Sequence, residues 1–497
     1  MTRERILDAS LVVVCGIGQA AAAVLAAFAT RDAFSALHGG ASIPVRTVVE
    51  LGAAGLVAGL CLFFAQRRSE ALGHSYAISL RRCIYRHIAA LPKSRHQERR
   101  IGALSLRFVG DLSAARLWFG GGLSDALTAL VVLPAGITLL FALDSDLASV
   151  GVGPLGMTLA LAAAWAWHLE RNHRSLRRRR AGLAIGMIER IAISPELDLM
   201  GRTGREVKLM KKRGTALKSD AIARRSRTAA LQSVLQIGSA VSGLALLWQA
   251  GVTGSAPATV AASLAMLALL TVPLLNLATA WDRYCAWQVA REKALNLLRE
   301  ETVKRTIEPR HEPVDIEIFG RIDGVDVTLM VARSQMSVLK IGNASSLARS
   351  IAGLDQHQTL AIHYNGRATL PKLAYIGDWY VGIQGSLRRS ATLLSAKRPS
   401  DVVVTEALGA YGLEHLVTDD LGLDRRIAEG GRNLITADTL RLELVRAELG
   451  EVELLIVDSV RWQADVEKWH LIELFKSRCN ATILISNAPV NPIEHAA

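Results

Sequence analysis

Between Ser10 and Ala280 the chain carries six long apolar segments arranged as three pairs. They are Ser10–Thr30 with Val45–Ala65, Ser124–Leu143 with Leu147–His168, and Ala229–Ala250 with Ala258–Ala280. Each comes close to or exceeds the roughly 20 apolar residues that span a bilayer core as a helix. A soluble core helix is usually shorter and striped, whereas these segments are apolar all round. The pattern predicts a membrane α-helical bundle, with the lipid bilayer as its first partner.

The formal net charge of +13 would suit a nucleic-acid binder if it covered one soluble face. It does not: basic residues gather in the two stretches between the pairs, Gln66–Leu123 and Glu170–Thr228, as in Arg177, Arg178, Arg179 and Arg180. No nucleic-acid partner is expected. The links inside the pairs, such as Asp144–Asp146 and Gly251–Pro257, are nearly free of Lys and Arg. That asymmetry places the long stretches and both termini in the cytoplasm, for a multi-pass protein of the cytoplasmic (inner) membrane. The first apolar run exceeds the roughly 7–15 residues of a signal-peptide core, so a retained helix is expected. Cys15, Cys61, Cys83, Cys285 and Cys479 are scattered without a C-x-x-C pair, which argues against a structural metal or a disulfide framework.

Each inter-pair stretch runs about 60 residues, long enough to demand structure of its own. Their helical composition predicts membrane helices that continue out of the bilayer and turn near Pro92 and Pro195, where an X-Pro step ends one helix and begins another. Pro134, Pro154 and Pro273 fall inside membrane segments and are read as ordinary membrane-helix prolines. Gln19, Gln236 and Asn276 are the polar side chains of interest in these segments. They line a pathway or hydrogen-bond between helices. Asp282, with its neighbour Arg283, reads as an interfacial charge pair, and Trp165, Trp167, Trp248 and Trp281 as interfacial anchors.

The polar stretch Arg283–Pro313 leads out of the membrane half, and a domain boundary is expected at 308/309. Beyond it come strand-length apolar runs: VDVTLMV, SVLKIG, LAYIGD, ELLIVDS and ATILISN. They alternate with helical stretches such as Thr439–Leu449 and Val466–Arg478, the signature of an α/β domain with buried parallel strands.

Taken together, residues 1–308 resemble the transmembrane domain, and 309–497 the P-loop-NTPase-like nucleotide-binding domain, of an exporter-type ABC half-transporter. LRRCIYRHIAALPKSRHQERRIGALSLRFVGDLSAARLW, with Gly102 and Asp111, resembles the first cytoplasmic stretch of that family. MIERIAISPELDLMGRTGREVK resembles the second, so Pro92–Ile101 and Ile193–Gly201 would be the coupling elements. The family's nucleotide motifs are eroded. Its phosphate loop needs glycines that let the backbone close on phosphate, a lysine that reaches it and a hydroxyl for magnesium. Here SVLKIG runs into NASSLARSIAGL, which sets Ser345 and Ser346 at the hydroxyl pair, Ala344 at the lysine, and Gly342 in a loop about four residues short. Asp378 stands at the family's glutamine. Glu429–Leu434 and Val445–Arg446–Ala447 keep the signature segment, but Ile435, Thr436, Ala437 and Asp438 replace Ser-Gly-Gly-Gln. The resemblance implies that side chains there block γ-phosphate approach and that Asp438 adds a repulsive charge. Asp458 is kept on the magnesium strand, Ser459 replaces the glutamate that polarises water, and Asn487 replaces the switch histidine.

Phosphoryl transfer is catalysed almost wholly by positioning and charge, so these losses together predict no catalytic residues, no metal site and no ATPase activity of this chain's own. ATP and Mg²⁺ are the cofactors the family implies. Gly342, Ser345, Ser346 and Asp458 are their vestigial positions, with Asp458 expected to hold no ion. The function expected is a membrane transport subunit that pairs with another half-transporter, or with a second copy of itself. The alternative is a membrane scaffold or regulator that reuses the fold.

Overall fold

The computed structural model describes residues 3–97, 110, 112–166, 179–180, 182–188, 190–191, 193–322, 324–339, 343–458 and 466–486. Gly102, Asp111, Trp167, Arg177, Arg178, Gly342, Ser459 and Asn487 lie outside these residues. The chain forms two compact units, Met1–Ala89 with Arg99–Glu300, and Ala90–Glu98 with Glu301–Ala497.

The first unit is helical. It comprises α1 (Arg3–His38), α2 (Val45–Ala90, whose last residue begins the other unit), α4 (Leu112–Leu117), a π-helical turn (Trp118–Gly122), α5 (Leu123–Leu143), α6 (Ser145–Ala166), α7 (Ser194–Leu199), α8 (Thr203–Thr253) and α9 (Pro257–Leu298). The short α3 (Lys93–Gln97) falls in the second unit. Among the described residues, six helices are long and apolar enough to cross a membrane: α1, α2, Leu112–Leu143, α6, α8 and α9. With 46, 51 and 42 residues, α2, α8 and α9 greatly exceed a bilayer span of roughly 20 residues. The surplus of α2 and α8 is the helical content of the two basic stretches, and that of α9 runs into the polar stretch after Ala280. Pro195 occupies the first turn of α7, where a missing N–H costs nothing. Gly254 caps α8 at φ 65, and Pro257 starts α9 three residues on.

Small residues set the helix contacts, as expected where packing rather than water drives association. A Cβ on Gly136 of α5 would meet Leu270 and Met266 of α9, and one on Gly151 of α6 would meet Leu246 of α8. The closest joint is between α2 and the π turn. A Cβ on Gly73 would stand 2.7 Å from the Gly120 Cα, and the Ser69 hydroxyl donates to the Gly120 carbonyl. Tyr76 stacks on Phe119 beside it at 3.7 Å between centroids. Pro134, Pro154 and Pro273 all sit within continuous helices.

The expected pairing of Asp282 with Arg283 is wrong. Asp282 is 9 % exposed and accepts from Arg224 Nη2 at 2.8 Å and Thr228 Oγ1 at 3.1 Å, both on α8. Arg283 turns instead to Asp125 on α5, 2.8 Å away. Adjacent residues on a helix point about 100° apart and do not face each other.

The second unit is built on a four-stranded parallel sheet of order β3-β9-β8-β5: β3 (Met336–Leu339), β9 (Thr482–Ser486), β8 (Leu454–Asp458) and β5 (Leu373–Ile376). Every residue of β8 and β9 is buried. Leu455, Val457, Ile483 and Ile485 pack into one core, with α11 (Leu387–Ala391), α12 (Asp401–Ala410), α13 (Thr436–Leu449) and α14 (Val466–Arg478). Leu454, Ile456 and Leu484 face the other core, formed with α10 (Ala344–Ile351) and a second sheet. Two faces buried at once are what make these strands continuous apolar runs. VDVTLMV departs from the expected parallel pairing. It is β2 (Val325–Val331), in an antiparallel sheet of order β2-β1-β4 with β1 (Ile316–Ile322) and β4 (Leu360–Tyr364). Gly324, at φ 87, turns the β1–β2 hairpin. Buried Glu453 accepts backbone N–H bonds from Arg310, His311 and Lys372, which ties the incoming chain to the foot of β8.

Candidate functional site

In an open parallel sheet, chemistry gathers at the carboxyl ends of the strands. Asp458 closes β8 there, in register with Ser486 at the end of β9. β3 ends at Leu339, and only Lys340–Asn343 separate it from α10. Ser345, in the first turn of α10, reaches the same carboxylate. The Ser345 hydroxyl donates to Asp458 Oδ1 at 2.6 Å, and the Ser486 hydroxyl donates to the same oxygen. The Tyr375 hydroxyl, from β5, donates to Oδ2. Burial, reinforced by the carboxylate, holds the Tyr375 phenol far above its ordinary range, so it stays a donor. Asp458 is 5 % exposed. Ser346, one step round the helix, points elsewhere, with Oγ 3.4 Å from His357 Nε2.

One cation joins this cluster from a distant part of the chain. Lys93 Nζ lies 4.2 Å from the centroid of the Tyr375 ring. Burial lowers the Lys93 ammonium's pKa, while the charge of Asp458 works against that shift. Next to it, Asp355 Oδ1 accepts the Ser94 backbone N–H at 2.9 Å and Oδ2 accepts Arg349 Nε at 2.9 Å. Burial alone would raise the Asp355 carboxyl, but these bonds carry it below the usual carboxylate range. Asp378 is exposed beyond β5.

The signature segment keeps its residues for reasons internal to the domain. Gly430 and Gly431 adopt φ 64 and 70, and a Cβ on Gly431 would come within 2.8 Å of the Tyr380 ring. Replacing Gly431 with alanine is expected to destabilise the domain by about 1–3 kcal/mol through left-handed strain and this clash. Chemical denaturation of the purified chain measures it. Buried Arg446 donates to the Ser390 and Val381 carbonyls and to the hydroxyls of Tyr380 and Ser390. Ile435, Thr436 and Ala437 form the exposed start of α13. Asp438 corrects the expectation of a charge facing phosphate. It is 4 % exposed and turned into the domain, with Oδ2 3.0 Å from His415 Nε2.

In the helical unit, Gln19 and Asn276 meet on the wall of one cavity of about 480 Å³, together with Gln66, Asp125 and Thr128. Gln236 is not among its lining residues. Trp118, Trp281 and Tyr284 line a second, apolar cavity of about 570 Å³, and Trp281 Nε1 donates to the Ala166 carbonyl. Sequence reading missed Lys93, Tyr375, Ser486, Gln66 and Asp125. Tyr375 and Ser486 lie inside strands it had recognised. Lys93 follows the turn expected at Pro92, with nothing local to announce a half-buried amine.

Residues 9–274 match the family model described as the ABC transporter transmembrane region. This chain belongs to the ABC transporter family. Its nearly complete fold is similar to a bacterial ABC exporter of the Atm1 family solved with ATP bound, at a TM-score of 0.80 and 14 % identity, covering 98 % of this chain and 91 % of that one. A 185-residue stretch is 26 % identical to an uncharacterized ABC transporter ATP-binding protein of Haemophilus influenzae, covering 35 % of this chain. The chain spans 33 % of that relative's length. The ABC chain is thus a multi-pass membrane subunit of exporter fold, with six membrane-capable helices among the described residues followed by an NTPase-like α/β domain.

Proposed function

We propose that this ABC subunit supplies membrane helices to a transport pathway while its own nucleotide domain neither holds nor splits ATP. The observation that carries the proposal is the state of Asp458. Both of its oxygens accept hydroxyl hydrogen bonds from the chain itself, from Ser345, Ser486 and Tyr375. Mg²⁺ in nucleotide sites is held by one or two carboxylates plus substrate phosphates, keeping several waters. A carboxylate already bonded on both oxygens and shut from solvent does not fit that coordination. The connection between β3 and α10 is also too short for the eight-residue loop that cradles phosphates. The curated relative is named for ATP binding, and that property is not carried over here.

The membrane half supports a transport role. Gln19, Asn276, Gln66 and Thr128 give one cavity wall hydrogen-bonding groups amid small apolar residues, the usual make-up of a membrane pathway. The distribution of Lys and Arg argues for the inner membrane with both termini in the cytoplasm. The partner is another half-transporter, whose intact motifs would supply nucleotide chemistry.

The test is a titration of the purified full chain with a fluorescent ATP analogue and Mg²⁺, beside a phosphate-release assay and affinity capture from native membranes. The expected results are no saturable binding below about millimolar, turnover at background, and recovery of a second half-transporter. Micromolar affinity or turnover by the chain alone would overturn the nucleotide half of the reading. Recovery of a partner of unrelated class would replace transport with a scaffold role.

A further inference from the structure

We infer that Lys93 closes the degenerate nucleotide pocket from within, and so latches the segment Ala90–Ser94 into the second unit without any nucleotide. The inference rests on the reading of this pocket as one that does not take Mg–ATP.

The segment is tied at both ends. At its start, Val303 N donates to the Ala90 carbonyl at 2.8 Å, and Arg305 Nη2 donates to the Leu91 carbonyl at 3.2 Å. At its other end, Lys93 N donates to the Leu354 carbonyl and Ser94 N to Asp355 Oδ1, each at 2.9 Å. Leu354 and Asp355 directly follow the helix whose first turn sends Ser345 to Asp458. One short helix therefore holds the carboxylate at its front and the segment at its back.

Lys93 adds a cation to this cluster. Its ammonium sits over the Tyr375 ring, and the Tyr375 hydroxyl bonds to Asp458. Cation, ring, hydroxyl and carboxylate thus form one relay. Among the described residues, Lys93 feels the charges of Asp458, Asp378 and Asp355, and that of Arg349 opposes them. Removing Lys93 would take one cation away from the three acids and leave, among the described residues, the Arg349 and Arg305 guanidiniums beside Asp355. The fit is close at the strand exit, where a Cβ on Gly377 would come within 3.2 Å of Lys93 Nζ. In a working nucleotide site the charge beside the retained acid comes from the loop lysine and bound magnesium. Here a residue just after Pro92 takes that place, and it cannot leave with product.

Hydrogen–deuterium exchange on the full chain in nanodiscs tests the latch, with and without millimolar MgATP. Lys93→Ala is expected to speed exchange of the Lys93 and Ser94 amides about tenfold, the scale of one desolvated cation–π contact. Lys93→Arg, which keeps the cation, should retain protection. The β8 and β9 amides should stay protected in both variants, which separates loss of the latch from loss of the fold. MgATP should change nothing in the wild type. Unaltered Lys93 and Ser94 exchange in Lys93→Ala overturns the latch alone. MgATP-induced protection that Lys93→Ala abolishes would make Lys93 a nucleotide ligand and overturn the underlying reading as well.

Discussion

Asp458→Ala is expected to lower the stability of the nucleotide domain by about 3 kcal/mol and leave ATP turnover at background. The substitution removes the acceptor shared by three hydroxyls, of Ser345, Ser486 and Tyr375, in a pocket where Asp458 was 5 % exposed. A buried group left without its partner costs about 1–3 kcal/mol, and partial relaxation reduces the sum. In a unit of about 200 residues, each kcal/mol moves Tm by about 2–4 °C, so a drop of about 6–12 °C is expected. Asp458→Asn keeps one acceptor oxygen and should lose less than half as much. Thermal unfolding followed by circular dichroism measures both variants. A magnesium ligand would behave differently: its loss would abolish a stabilisation that depends on MgATP.

The second large effect is expected inside the helical bundle. Asp282→Leu leaves Arg224, its partner at 2.8 Å, without a counter-charge. Breaking one side of a fully buried pair costs about 3–5 kcal/mol, and less here, where about a third of the Arg224 side chain is exposed, whereas replacing both sides with apolar residues is often neutral. The double variant Arg224→Met with Asp282→Leu should therefore be more stable than Asp282→Leu alone. Unfolding of the four proteins in detergent gives the coupling energy of the pair. Equal stability of the single and double variants would mean that the pair carries no such coupling.

The sequence was most legible where one physical requirement repeats along the chain. Apolar runs long enough for a bilayer gave the six membrane-capable helices, and Pro195 marked a real turn at α7. Strand-length apolar runs gave β3, β5, β8 and β9, of which β8 and β9 are buried on both faces. The β1 strand, IEIFGRI, alternates and carries charge, so nothing in it stands out until β2 and β4 pair with it. Partners proved harder than elements. Asp282 pairs across helices with Arg224, 58 residues away, and no local spacing encodes that choice. Lys93 and Tyr375 meet only because the chain returns Ala90–Glu98 to the second unit. Asp438 was legible as an altered motif position but not as a buried partner of His415.

The contact of Gly73 with Gly120 has a mechanical consequence. With no side chain to compress between the two backbones, that joint has no give: α2 and the turn leading into α5 must move as a single strut. Flexing in this arm is displaced upward to the next weak point, the missing backbone donor at Pro134.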